Sequence, residues 1–306
     1  MNSDNPRNLR KSALDYFMHP ESRILNHEEQ LKYFFRIGNF PWWQNPEVLK
    51  SDPLHRANHS MLVSAIEAIS PESILDAGCG CGWLLMETAK YVSKNTVGMD
   101  ISEKGFPKMS RESGVGRQES VGEGASDRIF YVAGDAEKIP FKDNYFNCVV
   151  CSQLLEHLPA LDKALQEVYR VMRSGGFLLA TVPNLFCWDS IEGQTHLITR
   201  TFSAINLIRR PLGLREIYHD PTHVNRMSPA KWKTTFEQYG FTILEEKPVY
   251  LIPYIPYFLK PLKRIEARIL HQPNIESAYM VLERWSGKLF PFNRMGQLHF
   301  FLCLKS

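Results

Sequence analysis

Three acids, three alternating glycines and a pair of histidines are the residues of this chain whose types and spacing could do chemistry. The run Asp76-Ala77-Gly78-Cys79-Gly80-Cys81-Gly82 reads D-x-G-x-G-x-G. Glycine is needed where backbone must come close to a ligand or take a positive φ without a Cβ clash. The spacing then selects among ligands. A dinucleotide fingerprint would place its third glycine at position 83, which is Trp83, and no Walker lysine follows, so neither a dinucleotide nor a phosphate cradle fits. A second cluster is Tyr218-His219-Asp220-Pro221-Thr222-His223-Val224-Asn225. Histidine titrates in the range a general base requires, and Asp220 could orient His219 or His223. The same residues read equally as an anchor that orders their loop. A His-x₃-His pair also suggests a metal, but that ligand geometry needs a helical turn and Pro221 opposes one, so no metal site is expected. Cys148 and Cys151 have C-x-x-C spacing, yet residues three apart on a strand point to opposite faces, which predicts inert core thiols.

The elements that must position these groups follow from the apolar pattern. Ser73 to Leu75 is a short apolar run after Pro71, hence a strand that delivers Asp76 to the glycine turn. Leu84, Leu85, Ala89 and Val92 recur at helical spacing after it. A strand, a glycine turn and a helix are the first crossover of a parallel α/β sheet, whose ligands lie at the carboxyl ends of the strands. Asn95 to Met99 predicts a second strand ending in Asp100, an acid placed to accept ribose hydroxyls. Ile129 to Ala133 predicts a third, followed by Gly134-Asp135-Ala136, and Phe146 to Cys151 a fourth, running into Ser152-Gln153-Leu154-Leu155-Glu156-His157-Leu158. A helix is expected over 159–173, stopped by Gly175 and Gly176, then a fifth strand over 177–182. Ser228-Pro229 begins a helix that Gly240 ends, and a sixth strand covers 241–248.

Taken in order, these four landmarks resemble the motifs of the class I S-adenosylmethionine-dependent methyltransferases, and Ser152 to Leu158 resembles the type-11, ubiquinone-biosynthesis-like branch. The resemblance covers about residues 70 to 185. It implies an α/β, Rossmann-like seven-stranded sheet, mostly parallel, with His299 to Leu304 as the antiparallel last strand. It implies S-adenosylmethionine as cofactor, with Gly78, Gly80 and Gly82 in close backbone approach and Asp100 on the ribose. Asp135 with Ala136 would take the adenine, and Asp76 either the methionine-end amino group or the turn geometry. Gln153 and His157 would line the methionine end, His157 standing equally as a structural cap. The implied reaction is in-line methyl transfer to a small molecule, such as a quinone-like ring, a sugar, a lipid-linked intermediate or a natural product. The alternative is a sensor or partner subunit that binds the cofactor without turnover.

Composition sets the remaining bounds. With 306 residues, 44% hydrophobic and 12% aromatic, the chain can bury a large core. A net charge of +3 argues against a nucleic-acid partner. Six scattered cysteines and an amino end without an apolar signal core favour a reducing, cytoplasmic setting. Residues 1–70 read as a helical cap or lid, and 71–306 as the catalytic domain. The stretch 113–126, rich in glycine and serine, reads as a surface loop, and 185–227 as a substrate loop. An insertion at 251–298 carries Pro, Tyr, Phe and basic residues; it packs on the fold or, more weakly, touches a membrane surface. Aromatic residues outside the cofactor landmarks, Phe40, Trp42, Trp43, Tyr250, Tyr254, Tyr257 and Phe258, are candidates for the acceptor pocket and equally for core packing.

Overall fold

The computed structural model describes residues 44–106, 116–119, 128–184, 222–251 and 296–306, with single positions at 29, 32, 35, 36, 207 and 211 and a scatter between 265 and 289. His219, Asp220, Trp42 and Tyr254 lie outside the described residues.

Strands β1 (Ser73–Ala77), β2 (Asn95–Asp100), β3 (Gly116–Glu119), β4 (Arg128–Ala133), β5 (Phe146–Ser152), β6 (Met172–Pro183), β7 (Phe241–Val249) and β8 (Leu298–Lys305) form one sheet in the order β3-β4-β2-β1-β5-β6-β8-β7. The pairs β4–β2, β2–β1, β1–β5 and β5–β6 are parallel, and β8 runs antiparallel to both β6 and β7. All seven expected strands are therefore present, with the last one reversed. The eighth, β3, lies within the stretch 113–126 read as a loop. It pairs antiparallel with β4, Gly116 opposite Tyr131 and Glu119 opposite Arg128. An edge strand held by backbone bonds on one side needs no apolar alternation, and Gly-Arg-Gln-Glu offers none. That is why the pattern missed it. Strand β6 also begins earlier than expected, at Met172, running through Gly175 at φ 73.

Helices α1 (Pro46–Ser51), α2 (Pro53–Ile69), α3 (Trp83–Thr88), α4 (Leu161–Val171) and α5 (Pro229–Gln238) cover the sheet. Asp52 caps α2 by accepting from the Leu54 and His55 N–H groups, with Pro53 at the first position. Ser228 caps α5 in the same manner, accepting from Lys231 N. Alternate strand residues supply two separate cores. Leu75, Val149 and Cys151 pack with Leu165 and Val168 of α4 and Trp232 and Phe236 of α5. Ile74, Cys148 and Val150 pack with Leu62 and Ile66 of α2 and Leu84 and Leu85 of α3. Cys148 and Cys151 thus occupy opposite faces as expected, both free and with burial raising their thiol pKa values. Tyr250, read as a pocket or a core aromatic, is a core residue: it is 3% exposed and meets Tyr279 edge to face. Among the described residues no helix is long and apolar enough to cross a membrane.

Candidate active site

The carboxyl edge of the sheet carries three acids on three adjacent strands. Asp76 ends the apolar part of β1, Asp100 ends β2, and Asp135 follows β4 by two residues. Neighbouring strands lie about 4.8 Å apart, so the acids form a row. The glycine turn crosses the row at one end. Gly78, Gly80 and Gly82 have φ of 80°, 53° and 71°, the left-handed region that the sequence reserved glycine for. The turn is tied to β2 by Gly78 N and Cys79 N, which donate to the Met99 carbonyl at 2.7 and 3.0 Å. Asp100 Oδ2 accepts from Gly80 N at 3.0 Å and its Oδ1 from Ser102 N at 2.9 Å. Asp100 therefore both faces the site and braces the turn.

Asp76 is 2% exposed, and burial, with a smaller contribution from the Asp100 charge, pushes its carboxyl up to about 7. This has a sign that can be checked. A carboxyl whose folded pKa lies above its ordinary 3.8 favours folding while protonated; that stability is complete below the ordinary value and is lost as pH rises through about 7. Urea denaturation of the cofactor-free protein should show stability falling between about pH 4 and pH 7, and Asp76→Asn should flatten that fall. Parallel pH profiles in the two proteins would remove Asp76 as its source.

Asp135 Oδ1 accepts from Glu137 N at 2.9 Å, and its Oδ2 lies 2.9 Å from Lys32 Nζ. Lys32 also pairs with the buried Glu137. Burial opposes the charge on Lys32, but the bonds to Glu137 and Asp135 outweigh it and hold the ammonium protonated. Ala136 is buried beside them. The amino-terminal segment thus reaches Asp135, and it makes two further contacts at this edge. The Arg36 carbonyl accepts from Ser102 Oγ at 3.4 Å, and Phe35 meets His157 edge to face.

Past β5 the chain turns sharply. Gln153 takes φ 53°, strained for a non-glycine residue, while its N–H donates to Thr181 O at 2.9 Å. Leu154 lies against the glycine turn, 3.0 Å from where a Cβ on Gly78 would sit. Glu156 and His157 form the next turn, and residues 222–225 dock onto it. Val224 N and Asn225 N donate to the Glu156 carbonyl, and Asn225 Nδ2 donates to the carbonyls of Leu155 and Leu158. His157 Nδ1 donates to Thr222 O at 3.1 Å, and the His157 and His223 rings meet edge to face with centroids 4.5 Å apart. His223 is therefore brought to His157, which no spacing in the sequence signalled. Trp83 turns away from the turn and stacks on His59, the ring centroids 3.7 Å apart.

Sequence reasoning missed several contributors. Asn58 of α2 donates to Ser152 Oγ at 3.0 Å, and Ser152 in turn meets Thr181 Oγ1 at 3.3 Å. Gly105 supports the glycine turn from beneath: a Cβ there would lie 2.6 Å from the Gly80 carbonyl oxygen. A lone asparagine within an amphipathic helix and a lone glycine carry no local signature. Lys32 carried none either, being a single cation in a helical stretch.

Residues 75–180 match the family model described as a methyltransferase domain. Strand order and glycine turn agree with this match, so residues 75–180 form a methyltransferase domain similar to the class I S-adenosylmethionine-dependent enzymes of the type-11 kind. More particular likenesses are to three curated proteins. Sterol 4-C-methyltransferase strm-1 of Caenorhabditis elegans is 31% identical over 118 residues, 39% of this chain and 33% of that protein. Ubiquinone/menaquinone biosynthesis C-methyltransferase UbiE of Vibrio cholerae is 32% identical over 133 residues, 43% and 48% of the two chains. Methyltransferase GfsG of Streptomyces halstedii is 28% identical over 147 residues, 46% and 48%. The chain spans between a third and a half of the length of these relatives.

Proposed function

We propose that this protein binds S-adenosylmethionine along the row Asp76, Asp100, Asp135 and transfers its methyl group to a small-molecule acceptor. The observation that carries the reading is the row itself, laid across a glycine turn that Asp100 braces. A nucleoside sulfonium presents three kinds of donor in line: an ammonium, a ribose diol and an adenine amine. Three carboxylates on adjacent strands match that sequence, and the family match supports it. When bound, the cofactor supplies an electrophilic methyl on a positively charged sulfur with a neutral thioether as leaving group. The protein's task is then alignment and exclusion of water, not covalent catalysis.

The residues divide that task. Gly78, Gly80 and Gly82 let backbone approach the cofactor, Asp76 receives its ammonium, and Asp100 its ribose. Asp135 and Ala136 hold the adenine end, which requires Asp135 to share or release Lys32. Gln153 and His157 line the methionine end next to Leu154. The loop residues His219, Asp220 and His223 serve the acceptor side, where a proton must leave if the acceptor is a hydroxyl, an amine or an acidic carbon. The acceptor class is a small molecule: relatives are named for sterols and for ubiquinone/menaquinone biosynthesis, and the net charge of +3 offers no nucleic-acid footprint.

Incubating the protein with methyl-labelled cofactor and a cell extract should yield a labelled small molecule. Label retained only as bound cofactor would favour a sensor. If the loop histidines take part in proton removal, His219→Ala or His223→Ala should lower turnover about 100-fold, within the range of general-base contributions, with cofactor affinity nearly intact. Kinetics equal to wild type in both variants would exclude them from the mechanism.

A further inference from the structure

We propose that Glu156, His157 and His223 form a binding site for a divalent transition-metal ion of the zinc type, with a position left for the acceptor's hydroxyl oxygen. The metal site stands on the geometry of these three residues; its link to an acceptor rests on the methyltransferase reading above.

Each of the three side chains offers one ligand atom, and these atoms all lie within 4.8 Å of one another. His157 Nε2 and Glu156 Oε1 are 4.0 Å apart. That is beyond hydrogen-bond reach, and two ligands at about 2.0–2.2 Å from one tetrahedral ion lie about 3.3–3.6 Å apart, so the ligand atoms must close by up to about 1 Å. A modest side-chain adjustment therefore completes the set. The tautomer is also the one required. A carbonyl oxygen only accepts, so the Nδ1 of His157 donates to Thr222 O, and in the neutral ring Nε2 carries the lone pair. A ligating histidine characteristically donates its second nitrogen to a carbonyl or carboxylate in this manner, which fixes the ring and raises its basicity.

The scaffold is rigid where it needs to be. Glu156 is 1% exposed, and the segment carrying His223 is held to the turn carrying Glu156 and His157 by the four bonds from Val224 and Asn225. Ligands from distant parts of the chain are thus set before any ion arrives.

The donor set selects the ion. Imidazole nitrogens suit zinc and its neighbours, whereas magnesium and calcium take oxygen ligands. Two histidines and one glutamate are a three-ligand set, the number that leaves a position open in catalytic zinc sites. The position of the site gives that opening a use. Glu156 follows by two residues Leu154, which touches the glycine turn, so the site lies beside the methionine end of the proposed cofactor row, where the methyl group would be presented. An ion held there would lower the pKa of an acceptor hydroxyl placed at the open position, whose proton would leave to water before the oxygen takes the methyl group and the cofactor leaves as a neutral thioether. The acceptor this predicts is a phenol, enol or other small molecule with an ionisable hydroxyl. The sequence reading set a metal aside because Pro221 breaks the His219–His223 turn; the ligand set proposed here does not use that turn.

Titrating Co²⁺ into the full chain after chelator dialysis, with absorption in the visible region, tests the site without any turnover. Zinc retention is measured in parallel by equilibrium dialysis and S-adenosylhomocysteine binding by calorimetry. The expected result is one ion per chain with a visible ligand-field band. His223→Ala, at a part-buried position, should weaken metal binding at least tenfold while its melting temperature and cofactor affinity stay close to wild type. His157→Ala and Glu156→Gln should weaken the metal as well; His223→Ala keeps the test valid if the buried Glu156 variant does not fold. No band and no retained zinc in the wild type, or a His223→Ala variant that binds metal as tightly as wild type, would overturn the proposal. A protein that binds the ion but no S-adenosylhomocysteine would sink the methyltransferase reading while sparing the metal site.

Discussion

Replacing Asp100 by alanine is expected to weaken S-adenosylhomocysteine binding by about 100-fold or more. Two hydrogen bonds from ribose hydroxyls to a carboxylate contribute roughly 1.5 kcal/mol each at the lower end for charged partners, and 1.4 kcal/mol is a factor of ten. The variant also frees Gly80 N and Ser102 N, both of which donate to the carboxylate in the free protein. Asp100→Asn retains one acceptor oxygen of the same shape and should fall between the two. Calorimetry on protein shown to be folded measures both. The same titration with a nicotinamide dinucleotide should show no binding, since Trp83 stands where the third glycine of that fingerprint would be. Affinity unchanged in folded Asp100→Ala would withdraw the ribose assignment and leave the acid only its bracing role.

Gly82→Ala is expected to cost about 2–5 kcal/mol of stability. A left-handed conformation costs a residue with a Cβ roughly 1–2 kcal/mol, and overpacking a dense core adds about 1–3 kcal/mol. Both apply here: φ is 71°, and the new Cβ would lie 2.2 Å from the Tyr131 hydroxyl oxygen and 2.6 Å from its ring. Tyr131 has no room to retreat, being 2% exposed and packed against Phe106. Thermal and urea unfolding should show the loss, and adding Tyr131→Leu should recover part of it by removing the struck atoms. A Gly82→Ala protein that melts with the wild type would mean that the turn does not sit on Tyr131. The same test separates the glycine's two duties. Loss of stability with residual cofactor binding marks packing, and loss of binding in a stable protein marks ligand approach.

What the sequence made legible was local. Buried parallel strands are short continuous apolar runs, so β1, β2, β4 and β5 could be placed to within a residue or two, and β1, β2 and β4 each delivered an acid to the same edge of the sheet. The glycine turn was legible because spacing alone distinguishes D-x-G-x-G-x-G from its rivals. The remainder of the candidate site was not, because it is made of pairs far apart in the chain. Lys32 meets Asp135, Asn58 meets Ser152, and Asn225 meets Leu158, and no periodicity in one segment announces a partner in another. The His223 imidazole illustrates the difference. In the sequence its visible companion was His219, four residues away; in the structure it lies against His157. Strand β3 failed for a different reason, since an edge strand is defined by its backbone bonds. Tyr250 stayed open because an aromatic side chain reads alike whether it lines a pocket or fills a core.

The pairing of β7 with β8 bears on how proteins of this architecture diversify. Val249 is opposite Leu298, and Gln297 N donates to the Tyr250 carbonyl at 3.0 Å, so the chain leaves the sheet and re-enters it at adjacent points. A segment tethered at neighbouring ends can be lengthened, shortened or exchanged without altering the order or direction of any strand, because loop-closure entropy grows only slowly with length. That doorway opens on the same carboxyl edge of the sheet as the glycine turn, with β6 and β5 between them. Sequence between Leu251 and Gly296 can therefore change while the strands that carry the glycine turn and its three acids keep their order. A graft there, whether natural or engineered, is the change this scaffold is built to tolerate.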